Sequence, residues 1–381
     1  MDTPDSTSDT RRVATVIIGA GQSGLATAYH LRRLGLSCLL VDEHPRVGDQ
    51  WRRRYDSLLL NSPAYRDGLP GRPFPAPKWS YPTGRDMADY LEQYAAGFDV
   101  LHRTTVSSVE RLDDGTFRVD CGDAVLVADA VVVATGGERV PKVPDVSGRL
   151  DPGIRQLHAS QYANPDQLLP GPVLVVGAGQ SGADLAMETV AAGHETWLSG
   201  PIRSEIPVDI GTFRFRRAFP VLWFVWNHVL TTRTPIGRRA RPKVRNGAAP
   251  LVRVKSKHLR AAGVHHLPAH TTSVDDDGLP MLEDGTTVDV TNVLWCTGYR
   301  QDFSLVRPPV TGPDGWPTDD GGVMRDVPGL YFMGLLFQRG FYSMLIGGVG
   351  RDAERIAGHV ATYVEGLTSS RGEPVSVVRS A

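Results

Sequence analysis

The chain has 381 residues, and its 41 lysines and arginines nearly balance 42 aspartates and glutamates, so its net charge gives no general reason to expect nucleic-acid binding. Hydrophobic residues make up 41% and charged residues 22%, which excludes wholesale disorder and is typical of a globular chain long enough for two or three domains. Cys38, Cys121 and Cys296 stand far apart without a CxxC motif, which argues against a dithiol redox enzyme and favours a cytoplasmic protein.

The polar N-terminus, residues 1–12, has no apolar run of the kind a signal peptide needs and is expected to be a disordered tail. No stretch of the sequence reaches the roughly 18 apolar residues of a membrane span. The chain is therefore expected to be cytoplasmic, with no membrane-spanning segment.

A predicted βαβ unit follows, in which a β-branched strand leads into GAGQSG and an alanine-rich helix that ends at Gly35. In such a motif Gly19 allows the tight turn, Gly21 lets a pyrophosphate approach the backbone, and Gly24 packs the helix against the strand. Asp42 stands at the end of the next strand, where a carboxylate accepts hydrogen bonds from ribose hydroxyls. This first site therefore suits FAD or NAD.

The same unit occurs a second time with an identical GAGQSG, whose glycines are Gly177, Gly179 and Gly182. At the offset of Asp42 this copy has Gly200, so no carboxylate would repel a 2′-phosphate. Ser199 and Arg203 lie close by, so the second site tolerates NADPH. NADH stays open, and so does an ordinary solvated role for Arg203.

Two strands that run into Thr-Gly turns, VVVATGG and VLWCTGY, flank the second unit and resemble each other. The predicted fold is therefore α/β, with two Rossmann-like dinucleotide-binding domains and the NADPH domain inserted into the FAD domain. We expect the FAD domain to span residues 12–165 and 295–381 and the NAD(P)H domain to span residues 166–294. A helix over Gly350 to Gly366 should close the FAD domain.

Several motifs beyond the glycine loops resemble class B flavin-dependent monooxygenases, a family that includes the flavin-containing monooxygenases and the plant YUCCA-type enzymes. They are the stretch EHPRVGDQWRRRYDSLLLNSPAYRDGLPGRPFP from Glu43 to Pro75, the ATG and CTGY turns, and PGLYFMGL from Pro328 to Leu335. The resemblance covers most of residues 13–365. It is specific in the glycine motifs and in residues 43–75, and vague in residues 201–290.

The resemblance implies FAD at the first site, NADPH at the second, and O2 and a small organic molecule as substrates. One oxygen atom is inserted at nitrogen or sulfur through a C4a-(hydro)peroxyflavin in this family, with Baeyer–Villiger chemistry as a further option. By motif, the FAD diphosphate and ribose are assigned to Gly19, Gly21, Gln22, Ser23, Gly24 and Asp42. Trp51 matches the tryptophan of the family's GGxW, although Asp49 replaces the second glycine.

Two further assignments also rest on the resemblance. Asn61 matches the asparagine that faces the flavin oxygen adduct, where an amide can donate and accept hydrogen bonds without titrating; a turn asparagine before Pro63 is the alternative. His158 and Tyr162 match the end of the family fingerprint before the second Rossmann unit, in its N- or S-oxygenating form. The first half of that fingerprint is not kept, and a packed linker histidine stays open. By the same motif match, Gln180 and Ser181 belong with the second glycine loop.

The charge is unevenly distributed, because residues 201–260 contain 14 lysines and arginines against Glu205 and Asp209. With its tryptophans this segment is compatible with a peripheral membrane contact or with a helix that lines a substrate channel. The oligomeric state stays open, a homodimer included, and no metal site is predicted.

Two alternatives to a monooxygenase also remain. One is an NAD(P)H-dependent flavin reductase or oxidase that passes electrons to a quinone or a partner protein. The other is a non-catalytic, nucleotide-sensing flavoprotein.

Overall fold

The computed structural model describes residues 9–247 and 249–371. The strands, numbered in chain order, are β1 Asp9–Ile18, β2 Leu39–Val41, β3 Val100–Leu101, β4 Ser108–Arg111, β5 Phe117–Asp120, β6 Ala124–Val133, β7 Val140–Pro141, β8 Arg155–His158, β9 Val173–Val176, β10 Thr196–Ser199, β11 His265–Leu267, β12 Thr271–Val274, β13 Pro280–Leu282, β14 Asn292–Trp295, β15 Tyr299–Arg300, β16 Val306–Arg307, β17 Asp319–Asp320, β18 Val323–Met324 and β19 Leu330–Phe332. The helices are α1 Gln22–Arg33, α2 Asp49–Arg52, α3 Gly84–Ala95, α4 Gln180–Ala191, α5 Phe213–Phe224, α6 Pro235–Arg245, α7 Ser256–Ala262 and α8 Val349–Arg371.

The first sheet has ten strands, with β1 at its centre between β2 and β6. β1 pairs with both neighbours in parallel, and the sheet is buried where the three strands run together: residues 15–18 of β1, all of β2 and most of β6 are buried, whereas residues 10–12 of β1 are exposed. Residues 9–12, expected in a disordered tail, instead extend β1, because they pair with residues 124–127 of β6. The rest of that predicted tail, residues 1–8, lies outside the described residues.

The second sheet has five parallel strands in the order β11–β10–β9–β14–β8. The two sheets confirm the predicted α/β class with two Rossmann-like domains, the second inserted into the first. β8 belongs to this second sheet by its pairing with β14, although it precedes the boundary predicted at residue 165. The boundaries therefore stay a prediction, and this pairing favours an earlier crossover near Arg155.

The two glycine loops have the same backbone geometry. Gly19 and Gly177 both have φ of +106°, a value that favours glycine. A Cβ on either one would come within 2.5 Å of a carbonyl oxygen, that of Ala134 in the first domain and that of Cys296 in the second. The ATG and CTG turns therefore support the two loops in the same way, and the internal repeat of the sequence is a repeat of structure.

The connection from β10 to β11 leaves the second sheet and packs against the first domain. It contains α5, a π-helical turn at Val225–Val229, α6 and α7. Its turn at Leu230 and Thr232 exchanges backbone hydrogen bonds with Phe341 and Arg339 of the first domain. This β10–β11 connection therefore contacts both domains, on the side of the molecule where residues 61–81 lie.

The C-terminal helix α8 packs against α1 and the sheet, as its buried face of alanine, valine and isoleucine predicts. It extends past both ends of the helix expected over residues 350–366. The last ten residues, 372–381, lie outside the described residues.

Candidate active site

A cleft of about 550 Å³ opens at the carboxyl ends of β1 and β2, where parallel sheets commonly bind ligands. The predicted residues that line it are Gly19, Gly21, Gln22, Ser23, Asp42 and Trp51. Gly24 lies beneath the loop, where a Cβ would come within 1.9 Å of the Gly19 carbonyl oxygen. It therefore serves the helix–strand packing that its motif position predicts.

The loop and the N-terminus of α1 form an anion site. Gly21 is the N-cap of α1 and provides no side chain to satisfy the first amides of the helix. Those free N–H groups and the partial positive charge of the helix end suit a pyrophosphate.

Asp42 lies at the end of β2 and is 8% exposed. One carboxylate oxygen accepts a hydrogen bond from the Ala20 amide of the glycine loop at 2.7 Å, and the other accepts from the His44 amide at 2.9 Å. The His44 ring lies at 2.9 Å from that second oxygen. Asp42 therefore holds the glycine loop in shape and also lines the cleft.

We expect Asp42→Asn to weaken FAD binding about tenfold, or about 1.4 kcal/mol. An asparagine that keeps the His44 contacts turns its NH2 group toward the Ala20 N–H, so two donors face each other. Fluorescence titration of the apoprotein with FAD measures this change. Asp113→Asn, at an exposed position, is the control; equal FAD affinity in both variants would contradict this role for Asp42.

Arg54 is a site residue that the sequence analysis missed. It lines the cleft and forms an ion pair with Glu138, yet its buried Nε has no hydrogen-bond partner among the described residues. The run of three arginines directly after Trp51 was the available signal. Arg54 therefore adds a guanidinium to the lining of the cleft, beside its partner Glu138, where an anionic cofactor such as FAD could contact it.

Trp51 lies at the cleft as its motif predicts, and its indole N–H donates to the Gln22 side chain at 3.4 Å. This contact links α2 to the first glycine loop. The cleft also reaches Ser160 and Tyr299, which lie shortly after β8 and β14 of the second sheet. It therefore extends from the first sheet to the junction of the two domains.

The second glycine loop lies apart from the cleft, at the carboxyl end of β9. A Cβ on Gly182 would come within 1.9 Å of the Gly177 carbonyl oxygen, whereas one on the exposed Gly179 would meet no atom within 4 Å. The side chain of Gln180 donates to the Pro250 carbonyl oxygen at 2.5 Å. Gly179 therefore borders open space at the N-terminus of α4, where a second pyrophosphate fits.

The two residues predicted to favour NADPH differ in accessibility. Ser199 is fully buried at the end of β10, and its hydroxyl is 2.9 Å from that of Thr271. Arg203 is exposed and has no ion-pair partner among the residues described. Arg203 is therefore the one of the two that can reach a phosphate without rearrangement.

His158 lies on β8 and is 2% exposed. Its Nδ1 is 2.8 Å from the Ser160 hydroxyl and its Nε2 is 3.1 Å from the Gly298 carbonyl oxygen. Burial lowers the pKa of His158, so the neutral ring dominates near pH 7. These contacts fit a packed residue that joins the two crossovers between the domains.

Buried polar groups also connect the domains beside α4. The Tyr55 hydroxyl donates to Asp184 at 3.1 Å, and Arg253 forms an ion pair with the same carboxylate at 2.8 Å. Burial raises the pKa of Asp184 despite the opposing effect of Arg253. Tyr162, fully buried, lies next to Glu188 on the same helix, and Ser181 lies next to Tyr55.

We expect Asp184→Ala to reduce the free energy of unfolding by about 3 kcal/mol, because it leaves Arg253 without its buried partner. Tyr55→Phe removes one hydrogen bond and should reduce it by about 1 kcal/mol. Urea unfolding of the flavin-loaded protein measures both. Equal losses in the two variants would show that the ion pair contributes nothing.

Asn61 is exposed, lies outside the residues that line the cleft, and its side chain makes no hydrogen bond to the described residues. The alternative of a turn asparagine bound to local backbone therefore has no contact to support it. The adjacent Ser62 hydroxyl donates to Asp67, which is fully buried, and the other oxygen of Asp67 has no partner among the described residues.

Burial raises the pKa of Asp67 to about 7. Because the folded-state pKa lies above the unfolded value, the protonated form is stabilised, and this stabilisation is lost as the pH rises through 7. Between pH 5 and pH 8 we expect the protein to lose on the order of 2 kcal/mol of stability relative to Asp67→Asn. Thermal melts of the two proteins across this range test it; parallel pH profiles would contradict it.

The three cysteines are free thiols. Burial raises the pKa of Cys38 to about 12, that of Cys121 to about 11 and that of Cys296 to about 12. Thiolates are therefore scarce at neutral pH. No group of histidine, cysteine and acidic side chains able to hold a metal ion is found in residues 9–247 and 249–371.

Comparison with known proteins agrees with this geometry. A family model described as pyridine nucleotide-disulphide oxidoreductase matches residues 16–202. A CzcO-like oxidoreductase of Geobacillus kaustophilus is 36% identical over 92% of this chain and 99% of its own length. The probable indole-3-pyruvate monooxygenase YUCCA1 of Arabidopsis thaliana is 27% identical over 91% of this chain and 89% of its own length.

A solved structure of similar architecture is the flavin-containing monooxygenase from Stenotrophomonas maltophilia. Its TM-score is 0.69 at 27% identity, over 93% of this chain and 99% of that chain. The chain belongs to the class B flavin-dependent monooxygenase family, as its motifs predicted. It is an oxidoreductase of the flavin monooxygenase type, a class that works with FAD and NADPH.

Proposed function

We propose that the chain catalyses an NADPH- and O2-dependent monooxygenation of a small organic nucleophile, at nitrogen or sulfur. The observation that carries this proposal is the pair of glycine loops with the same geometry, one at the cleft and one at the open end of the second sheet. His158 and Tyr162, the N- or S-oxygenating form of the fingerprint, support this choice over a Baeyer–Villiger reaction. One turnover converts substrate, O2, NADPH and a proton into oxygenated substrate, water and NADP⁺.

The cleft residues fit FAD. The amides at the start of α1 would hold the diphosphate, Asp42 the ribose hydroxyls, and the Arg54 guanidinium, which lines the cleft, would face an acceptor atom of the cofactor. When bound, FAD supplies the hydride acceptor and the centre that reacts with O2. The protein's own contribution is to orient the cofactor and to keep water from the reacting end.

The second loop fits NADPH. The amides at the start of α4 would hold its diphosphate beside Gly179, and Arg203 would meet the 2′-phosphate. Gly200, with φ of +109° at the end of β10, leaves no carboxylate there to repel that phosphate. These features favour NADPH over NADH.

Asn61 is the residue we assign to the oxygenation step. Its side-chain amide makes no hydrogen bond to the described residues, and the next residue in the chain, Ser62, is fixed by its hydrogen bond to Asp67. An amide in this position can donate a hydrogen bond to developing negative charge on oxygen and does not titrate between pH 5 and pH 9. The Asn61 amide would orient the reacting oxygen and stabilise its negative charge. The proton that the reaction consumes would come from solvent.

We also propose that the NADPH domain begins near Arg155 and ends near Trp295, the residues at which the second sheet starts and finishes. The crossovers on both sides meet at His158 and Gly298. His158 and Gly298 therefore form a contact through which NADPH binding could affect the FAD site.

Aerobic NADPH oxidation with a panel of amines, sulfides and ketones tests the proposal. The expected result is that an amine or a sulfide, and not a ketone, raises NADPH consumption and yields one oxygenated product per NADPH. A reductase or oxidase would consume NADPH at the same rate with every compound and release hydrogen peroxide or reduce an added quinone. That outcome would overturn the proposal.

A further inference from the structure

Helix α5 has apolar side chains on two opposite faces. One face is buried: Phe215 and Phe219 are at most 1% exposed and pack in an aromatic cluster with Trp223, Tyr65 and Trp79. A helix on the surface of a globular protein normally has a single apolar stripe, which faces the core. The second apolar face of α5 therefore needs a separate explanation.

The outer face carries Phe213, Val221 and Phe224, which are 71%, 65% and 58% exposed. At 100° per residue they fall within one arc of the helix, together with Pro220 and Arg217. We call these five residues the α5 outer face. Such large apolar side chains grouped on one helix mark a surface that contacts an apolar partner.

The surroundings of this face are strongly basic. Residues 210–274 contain 13 lysines and arginines and no aspartate or glutamate. Several of these cations are engaged in contacts within the protein. Arg241 and Arg253 form ion pairs with Asp319 and Asp184, and Arg245 stacks on Trp316. The segment is therefore less of a free basic patch than its composition suggests.

Two of the three arginines on α5 remain available, whereas Arg216 lies over the Trp79 ring. Arg214 has no ion-pair partner among residues 9–247 and 249–371, and Arg217 lies over the Phe213 ring at 5.6 Å. Both are exposed and flank the apolar residues of the outer face. Their long stems can lie along an apolar surface while the guanidinium groups reach phosphate.

We propose that the α5 outer face docks the enzyme on the surface of an anionic phospholipid membrane. Apolar side chains between arginines match the boundary between acyl chains and anionic headgroups. A second copy of the chain is a poorer match, because a symmetric contact would bring like charges together. The contact is peripheral, since no helix in the part of the chain that the structure describes is long and apolar enough to cross a membrane.

Co-sedimentation of the flavin-loaded protein with lipid vesicles tests this docking. Vesicles of phosphatidylcholine with phosphatidylglycerol should bind the protein, and vesicles of phosphatidylcholine alone should bind it far less. Val221→Ser combined with Phe224→Ser should lower the partition coefficient about tenfold or more. Arg214→Gln combined with Arg217→Gln should lower it and reduce its dependence on salt.

The matched control is Leu34→Ser combined with Leu169→Ser, two exposed leucines outside α5. All variants should keep the flavin content and the NADPH oxidation rate of the unmodified protein, so a folding defect is recognisable. Vesicle binding that is equal in the α5 variants and the control would overturn the proposal. So would the absence of binding to anionic vesicles at low salt, or self-association that the α5 variants abolish.

Discussion

Gly179→Ala is expected to keep bound flavin and thermal stability while lowering kcat/KM for NADPH about 30-fold, which corresponds to about 2 kcal/mol. The backbone of Gly179 has φ of −86°, which alanine adopts freely, and the added methyl group would meet no protein atom within 4 Å. Its only effect is to fill the space in which we place the NADPH diphosphate. Anaerobic stopped-flow reduction of the flavin by NADPH measures it.

Gly182→Ala separates ligand effects from folding effects at the same loop. Its methyl group would come within 1.9 Å of the Gly177 carbonyl oxygen, so this variant should lose stability as well as NADPH-dependent reduction. If Gly179→Ala reduced flavin with NADPH as fast as the unmodified protein, the second loop would not be the NADPH site.

Asn61→Ala is the variant with the second large effect. Flavin reduction by NADPH should be unchanged, whereas oxygenation of substrate should fall about 100-fold, the range seen when one donor to a developing oxyanion is removed. Hydrogen peroxide should account for the NADPH consumed. Because Asn61 is exposed and its side chain bonds to no described residue, the change should leave the melting temperature as it is.

Asn246→Ala is the matched control, since Asn246 is an exposed asparagine that follows α6 and lies outside the cleft. It should couple NADPH oxidation to product as the unmodified protein does. If Asn61→Ala also remained coupled, Asn61 would be a turn residue, and the oxygenation step would depend on other groups.

The parts of the fold that could be predicted are those that require glycine at fixed positions of the sequence. The two GAGQSG loops require φ above zero at Gly19 and Gly177, and they leave no room for a side chain at Gly24 and Gly182, which lie against a carbonyl group. The motif therefore predicts the backbone geometry of the loop directly. The α/β class followed from the two loops, the insertion of one domain into the other from the two Thr-Gly strands that flank the second unit, and the family from these motifs together with residues 43–75.

Other parts depend on contacts between distant segments and could not be predicted. β8 joins the second sheet through β14, far along the chain, so the boundary predicted from prolines fell too late to include it. The unpartnered Nε of Arg54 and the raised pKa of Asp67 follow from burial by neighbours remote in sequence. Local pattern carries no information about either.

The basic segment shows why net charge is a poor guide to a surface. Part of its positive charge is used in internal contacts, because Arg241, Arg245 and Arg253 bind the β10–β11 connection to residues elsewhere in the chain. Other cations of the segment have no ion pair among the described residues, and Arg214 and Arg217 of α5 are the two that lie beside exposed apolar side chains. Composition alone does not separate these two uses of arginine.

The incorporation of oxygen from ¹⁸O2 tests the central claim most directly. With NADPH and an amine or sulfide substrate, a monooxygenase places one ¹⁸O atom in the product for each NADPH oxidised, and the second ¹⁸O atom appears in water. We predict this label in the product. Product without ¹⁸O, with the label recovered as hydrogen peroxide or water alone, would contradict the assignment of this chain as a monooxygenase.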